Sequence, residues 1–187
     1  MKWIGIKKKE QGKFITRYDV TYETEDGNSK VYEMISRNPY ISSLTELQGK
    51  VADAVVIIAY NEEKNKILLN KEFRMAAGDF VYNFPAGMIE EGETIEQAAA
   101  RELKEETGLE LYEIFDSMNT SYSAVGFSNE TNVSVVGKAR GDFGKSTSVT
   151  EEICASWYTK EEVKELLKKE KFAARTQMFC YMWVKEM

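Results

Sequence analysis

Alternating and clustered apolar positions along the first half of the chain predict β-strands. Residues 13–37, KFITRYDVTYETEDGNSKVYEMISR, contain a segment rich in aromatic and β-branched side chains on each side of Asp26-Gly27. This pattern predicts two strands joined by a turn. The segments ADAVVIIAY and KILLNKEFR flank the polar stretch NEEKN and predict a second hairpin. The first of these segments is apolar throughout, as expected for a central strand.

The segment after the two hairpins has the pattern of a helix. Thr94 with Gln97 fits a capping box and Gly108 fits a helix stop, so residues 95–107 are predicted to be helical. Further elements are expected in the second half of the chain: strands near residues 110–118 and 131–140 and over EICASWY, a helix from Thr159 to about Lys169, and a last helix from about Ala173 to Glu186.

These elements predict an α+β architecture. A boundary near residues 45–50 is expected to separate a small N-terminal antiparallel β element, residues 1–45, from a main domain, residues 46–187. The last helix carries several aromatic residues and methionines, which are more typical of core or dimer contact than of a cofactor site.

The carboxylates of the helix at 95–107 carry the first chemical information. At about 100° per residue, Glu102 and Glu106 lie near the centre of the apolar stripe, and Glu105 lies at its rim. A solvated charged face would place carboxylates opposite that stripe. Half-buried, unpaired carboxylates are costly unless a partner or a cation neutralises them. The pattern therefore favours a site for a hard divalent cation such as Mg²⁺, which prefers oxygen ligands.

Composition narrows the possible functions. The 187 residues are 43% hydrophobic and 30% charged, which suits one soluble domain with a small extension. The net charge of −6 argues against a general binder of nucleic acid or of membrane surfaces. The longest apolar run, near residues 51–60, is too short to span a bilayer, and the first ten residues lack a signal-peptide pattern. A cytoplasmic protein is expected.

The titratable side chains limit the chemistry further. The chain contains no histidine, which excludes Ser-His-Asp catalysis and His-ligated zinc. Proton transfer near neutral pH must use carboxylates, lysine, tyrosine or metal-bound water. Cys154 and Cys180 have no zinc or redox spacing and are expected to be buried thiols in a reducing compartment.

The segment GMIEEGETIEQAAARELKEETGL, residues 87–109, resembles the Nudix box at each of its defining positions. The resemblance implies the Nudix fold, a mixed β-sheet sandwiched between helices. It also implies hydrolysis of a nucleoside diphosphate linked to another group, with Mg²⁺ or Mn²⁺. By the same resemblance, Glu102, Glu105 and Glu106 bind the metal ions with the carbonyl of Ala86, and Arg101 and Glu93 form an ion pair that braces the loop.

Segments outside the box resemble the ADP-ribose pyrophosphatase branch, namely VYEMISR, KEFR, YNFPAGMIEEGET and SAVGFSNE. In that branch the N-terminal β element is exchanged in a homodimer. The resemblance implies that Tyr32 stacks on adenine, with Trp3 as the second face of the clamp. It implies that Arg37 and Arg74 bind the substrate and that backbone near Met88 approaches it. Core packing for the two aromatic residues, and ion pairs for the two arginines, remain the alternatives.

The chain departs from this branch at two places. Val125 occupies a position about 16 residues after the box where ADP-ribose enzymes often have proline. A glutamate from a later loop usually serves as base or extra ligand. In the loop GKSTSVTEEIC, Glu151 aligns best, while Glu152 and Glu130 are alternatives. An acid found earlier in that loop in many members is replaced by Val149.

The expected reaction is hydrolysis of ADP-ribose to AMP and ribose 5-phosphate. Hydrolysis of another sugar nucleotide, of the GDP-mannose or UDP-glucose type, is the alternative within the same chemistry. A catalytically silent domain that binds ADP-ribose is the alternative from another class. Clustered glutamates without metal should have raised pKa values, so activity should fall at acid pH.

Overall fold

The computed structural model describes residues 1–49, 51–148 and 150–185. The chain forms two compact units, Met1–Asp53 with Thr120–Asn132, and Ala54–Asn119 with Val133–Met187. The elements along the chain are β1 (Lys2–Gln11), β2 (Thr16–Glu23), β3 (Ser29–Ser36), α1 (Leu44–Gln48), β4 (Ala54–Tyr60), β5 (Lys66–Arg74), β6 (Asp79–Asn83), β7 (Ala86–Met88), α2 (Ile95–Thr107), β8 (Glu110–Ser117), β9 (Ser121–Tyr122), β10 (Thr131–Arg140), β11 (Ile153–Thr159), α3 (Lys160–Lys169) and α4 (Ala174–Lys185).

The first unit contains an antiparallel sheet with the strand order β1-β2-β3. Alternate residues of β2 point into its core because successive strand side chains face opposite sides. Tyr18 and Val20 are buried there with Met34 and Ile41. The Tyr18 hydroxyl donates to the carbonyl of Asn38 over 2.8 Å, so this core also fixes the chain beyond β3.

The second unit contains the larger sheet, in the order β11-β5-β4-β10-β8, with β6 on β5 and β7 on β4. Strand β4 is central and almost fully buried. Its alternate residues supply two cores, with Val55 and Ile57 on one face and Val56 and Ile58 on the other. Helix α2 contributes to the first core, and α3 and α4 contribute to the second. The predicted sheet between helices is confirmed.

The main helices follow the sequence prediction. Helix α2 begins after the Thr94 capping box and ends at Gly108, which adopts φ 81°. Helix α3 begins after Thr159, which forms a capping box with Glu162. The predicted last residue of α4, Glu186, lies outside the described residues. Among the helices that the structure describes, none is long and apolar enough to cross a membrane.

Several features differ from the sequence prediction, among them the strands β6, β7 and β9, which were not expected. Strand β1 was not expected, because its second half is a run of lysines without alternation. Helix α1 was not expected either, although Ser43 and Glu46 form a capping box before it. The prediction that both cysteines are buried was wrong. Cys180 is buried in a core, but Cys154 is exposed on β11, where it pairs with Lys71 of β5.

Candidate functional site

Helix α2 presents its three candidate carboxylates to different surroundings. Ala98, Ala99 and Leu103 are fully buried on its inner face. Glu106 lies on the same face and is only 9% exposed. Glu102 is largely covered, whereas about half of the Glu105 side chain is exposed. The helical stripe therefore places Glu102 and Glu106 inward and Glu105 at the rim, as the spacing predicts.

Gly87 makes room for the carboxylate of Glu102. A Cβ atom added at Gly87 would lie 2.0 Å from Cδ of Glu102 and 2.1 Å from both of its carboxylate oxygens. The Glu102 carboxylate thus packs directly against the backbone of β7. The first glycine of the box is required here by this close approach rather than by an unusual φ angle.

Arg101 braces the loop that precedes α2. Its Nε and Nη2 atoms donate to the two carboxylate oxygens of Glu93 over 2.7 and 2.8 Å, and Nη2 also donates to the carbonyl of Met88 over 2.9 Å. These hydrogen bonds lower the pKa of Glu93 to about 2. The predicted pair of Arg101 and Glu93 is confirmed. Arg101 also contacts Glu102 at 2.8 Å and Glu105 at 3.3 Å.

Glu106 is the most perturbed carboxylate in the site. Asn70 Nδ2 donates to its Oε2 atom over 2.7 Å, and the backbone of Ala86 also hydrogen-bonds to it. Burial, together with the negative charges of Glu72 and Glu102, raises the pKa of Glu106 to about 9 against the two hydrogen bonds. Burial likewise raises the pKa of Glu102. The protein partners of Glu106 and Glu102 therefore do not offset the cost of burying the ionised forms of these two groups.

Sequence reasoning missed a group of buried polar side chains on the strands beneath α2. Asn70 and Glu72 follow Leu68 at alternate positions of β5, so all three face the same side. Asn83 Nδ2 donates to Glu72 Oε1 over 3.0 Å, and the Thr176 hydroxyl donates to Asn83 Oδ1 over 2.8 Å. Polar residues at alternate, inward positions of an otherwise apolar strand were the available indication.

The loop after β10 brings Glu151 to the site. Its backbone is attached to the end of α2, where the Gly144 amide donates to the Thr107 carbonyl and the Thr147 amide donates to the Glu105 carbonyl. Glu151 lies close enough to Glu102 for its charge to raise the pKa of that carboxyl. Val149, the position of the missing acid, lies outside the described residues.

Arg74 and Glu151 line one cavity of about 230 Å³, together with Glu72 and Glu152. The Arg74 side chain is mostly exposed and its Nη1 atom lies 3.6 Å from Oε2 of Glu72. The cavity thus combines a guanidinium group, which suits phosphate oxygens, with the loop carboxylate. The two residues were predicted from segments far apart in sequence, and the structure brings them together.

The donor chemistry of this site fits a hard divalent cation. Its side chains offer carboxylate oxygens and no sulfur or imidazole, a set that suits Mg²⁺ or Mn²⁺. A bound cation would favour the ionised forms of Glu106 and Glu102, which burial disfavours. No three acidic or cysteine side chains converge on one point within the described ranges. Arg101 holds Glu102, and Asn70 holds Glu106.

Tyr32 lines a separate cavity within the first unit. This cavity has a volume of about 260 Å³, and its walls are largely apolar and aromatic. Tyr32 donates its hydroxyl hydrogen to the carbonyl of Gly126, and Val125 lies on the cavity wall. The lining residues are Val20, Tyr22, Tyr32, Met34, Leu44, Leu47, Gln48, Tyr122, Val125, Phe127, Ser128 and Asn129.

The other candidates of the first unit have protein partners. Trp3 packs edge-on against Tyr22, with ring centroids 5.7 Å apart. Arg37 Nε donates to Glu130 Oε2 over 2.5 Å. An arginine predicted to bind substrate and a glutamate considered as a base therefore form an ion pair with each other. Substrate roles for Trp3 and Arg37 stay predictions.

Comparison with known proteins agrees with the geometry of α2 and its loop. A family model described as NUDIX domain matches residues 50–179. An ADP-sugar pyrophosphatase of Mus musculus is 38% identical over 101 residues, which are 52% of this chain and 43% of that protein. An ADP-ribose pyrophosphatase of Saccharomyces cerevisiae is 32% identical over 136 residues, which are 72% of this chain and 52% of that protein.

The chain spans about half the length of these curated relatives. Among solved structures, the crystal structure of an ADP compounds hydrolase matches with a TM-score of 0.76 and 18% sequence identity. That match covers 100% of this chain and 94% of the other chain, and at this identity it shows a shared fold.

Proposed function

Because this chain belongs to the Nudix family, we propose that it is a pyrophosphohydrolase that cleaves ADP-ribose to AMP and ribose 5-phosphate. The observation that carries the proposal is the burial of two carboxyl groups, Glu106 and Glu102, on the inner face of α2, near a cavity that holds Arg74 and Glu151. The names of the mouse and yeast relatives support an ADP-sugar substrate.

The residues that would hold the divalent cations are Glu102, Glu105, Glu106 and the carbonyl oxygen of Ala86. When bound, Mg²⁺ or Mn²⁺ supplies positive charge that offsets the diphosphate and makes water a better nucleophile. Arg101 fixes the position of the loop relative to α2, because it donates hydrogen bonds to Glu93, Met88 and Glu102.

Glu151 is the proposed general base. Its carboxylate would accept a proton from the attacking water as an oxygen–phosphorus bond forms at one phosphorus. The bridging oxygen leaves with the other phosphate, so one product is AMP and the other is ribose 5-phosphate. Arg74 would bind phosphate oxygens through its planar guanidinium group. The backbone of Met88, at the end of β7, would approach the substrate, and Arg101 holds its carbonyl oxygen.

Tyr32 is the proposed adenine contact. Tyr32 is 40% exposed and lines a largely apolar and aromatic cavity of about 260 Å³, and flat aromatic side chains stack well on bases. By resemblance, the proposal also assigns Trp3 to the second face of the adenine clamp and Arg37 to substrate binding.

A homodimer built through the N-terminal element belongs to the same proposal. Strand β1 is an edge of its sheet and exposes Ile4 at 50%, so it presents unpaired backbone groups to a partner. Light scattering on the purified chain should give twice the 21.4 kDa mass, whereas a monomer at all concentrations would contradict the dimer.

A substrate panel tests the function. Products would be separated after incubation with ADP-ribose, ADP-glucose, GDP-mannose and UDP-glucose, each with Mg²⁺ and with EDTA. We expect metal-dependent AMP release with the highest kcat/KM for ADP-ribose. Preference for the guanine or uracil nucleotide would refute ADP-ribose as the substrate, while the proposed metal-dependent hydrolysis would stand. No turnover of any compound would favour a silent binding domain.

A further inference from the structure

The buried face of β5 carries a carboxylate that the box does not supply. Glu72 is 7% exposed and lies two residues after Asn70, on the same side of the strand. Side chains at alternate strand positions are about 7 Å apart at their Cα atoms. Asn70 donates a hydrogen bond to Glu106, the most buried of the three candidate carboxylates of α2. Glu72 is therefore the next side chain along β5, on the same side, after the one that contacts Glu106.

Protein donors leave Glu72 and its neighbours incompletely satisfied. Asn83 donates to one oxygen of Glu72, while the nearest cation to the other, Arg74 Nη1, lies at 3.6 Å and is mostly exposed. The charge of Glu72 also acts on Glu106. Asn70 is fully buried and gives its amide hydrogen to Glu106, while its Oδ1 atom has no hydrogen-bond partner among the described residues.

We propose that Glu72, Asn70 and Glu106 form an inner divalent-cation site on the strand side of α2. The inference rests on the proposed metal-dependent function and adds ligands that the box does not contain. Glu72 and Glu106 supply charge, and Asn70 Oδ1 accepts a hydrogen bond from a water of the cation or binds the cation itself. Asn83 and Thr176 hold Glu72 in place through their hydrogen bonds.

Mn²⁺ titration of the whole chain tests this site without an activity assay. Binding would be followed by calorimetry and by the spin-resonance signal of free Mn²⁺ in wild type, Glu72→Gln, Glu106→Gln and Glu25→Gln. Glu25 is an exposed acid in the turn after β2, so its replacement changes net charge equally. We expect Glu72→Gln to raise the Kd of the tightest site about tenfold or more, and Glu25→Gln to match wild type.

A second readout separates a ligand from a structural residue. Glutamine keeps an oxygen for Asn83 and removes the charge that opposes Glu106. Glu72→Gln should therefore retain or raise the Tm of the metal-free chain, while the Tm increase produced by Mn²⁺ becomes smaller. A lower metal-free Tm with an unchanged Mn²⁺ effect would overturn the inference.

The remaining outcomes are distinct. If Glu106→Gln loses Mn²⁺ binding while Glu72→Gln binds like Glu25→Gln, the inner site is refuted and the proposed function stands. If wild type binds no Mn²⁺, the proposed function fails together with the inference. Should Glu72→Gln not fold, Glu72→Asp keeps the charge and shortens its reach. Wild-type affinity in that variant would overturn the inference.

Discussion

Ionisation of Glu106 should make the stability of the metal-free protein depend on pH. Its pKa is about 9 in the folded chain, against 4.5 for an ordinary glutamate, because burial and neighbouring charges disfavour the carboxylate. The folded state therefore binds this proton more tightly than the unfolded state. The contribution of the group is fully present below about pH 4.5 and is lost as the pH rises toward 9.

The size of the effect follows from linkage. Between the two pKa values, the free energy of unfolding should fall by about 1.4 kcal/mol per pH unit through this group alone. Urea unfolding in EDTA at pH 5.5, 6.5 and 7.5 would measure it. Glu106→Gln removes the titration, so wild type should lose about 3 kcal/mol more than the variant across this range.

The control and the refuting result are both clear. Glu25→Gln should keep the wild-type pH dependence, because that side chain is exposed and outside the site. Added Mg²⁺ competes with the proton on Glu106, so its apparent affinity should rise by up to about tenfold per pH unit in the same range. Parallel stability curves for wild type and Glu106→Gln would refute the electrostatic reasoning.

Four further predictions test separate parts of the protein by substitution. Gly87→Ala should displace the Glu102 carboxylate and lower kcat/KM about a hundredfold, with little change in Tm, because the clash is with the end of a flexible side chain; full activity would contradict the packing. Gly108→Ala should lower the free energy of unfolding by about 2 kcal/mol or more, measured in urea, because φ is 81° and the new Cβ would lie 2.4 Å from the Gly144 amide nitrogen. In steady-state kinetics at saturating Mg²⁺, Glu151→Gln should lower kcat by roughly a hundredfold with KM retained, whereas Glu152→Gln should leave kcat unchanged. Equal effects of the two substitutions would contradict Glu151 as the general base. Tyr32→Ala should raise KM for ADP-ribose about tenfold and leave kcat unchanged if the ring stacks on adenine, and an unchanged KM would remove Tyr32 from the site.

Local sequence features predicted the elements that present the site. The Thr94 capping box and Gly108 define α2 without help from distant residues, and the apolar stripe of that helix oriented Glu102 and Glu106. Strand β1 could not be found in this way. Its lysine-rich half becomes a strand because it pairs with β2. Such pairing does not require an alternation of apolar and polar residues within the strand itself.

The rest of the site depends on contacts between distant residues. Asn70 reaches Glu106 across 36 positions, and Thr176 reaches Asn83 across 93. Neither spacing forms a motif, so only the folded structure shows that Asn70 donates to Glu106 and that Thr176 donates to Asn83. The environment of Glu72 was hidden for the same reason, although its inward register on β5 was visible as a polar interruption.

Phosphorus-31 NMR of ADP-ribose hydrolysis by the purified chain tests the central claim most directly. With Mg²⁺, the diphosphate resonances should disappear and two phosphomonoester resonances, those of AMP and ribose 5-phosphate, should grow in equal amounts. EDTA or Glu106→Gln should abolish both. Cleavage that continues in EDTA, or an intact diphosphate with saturating Mg²⁺ or Mn²⁺, would contradict the claim that these carboxylates support metal-dependent hydrolysis of ADP-ribose.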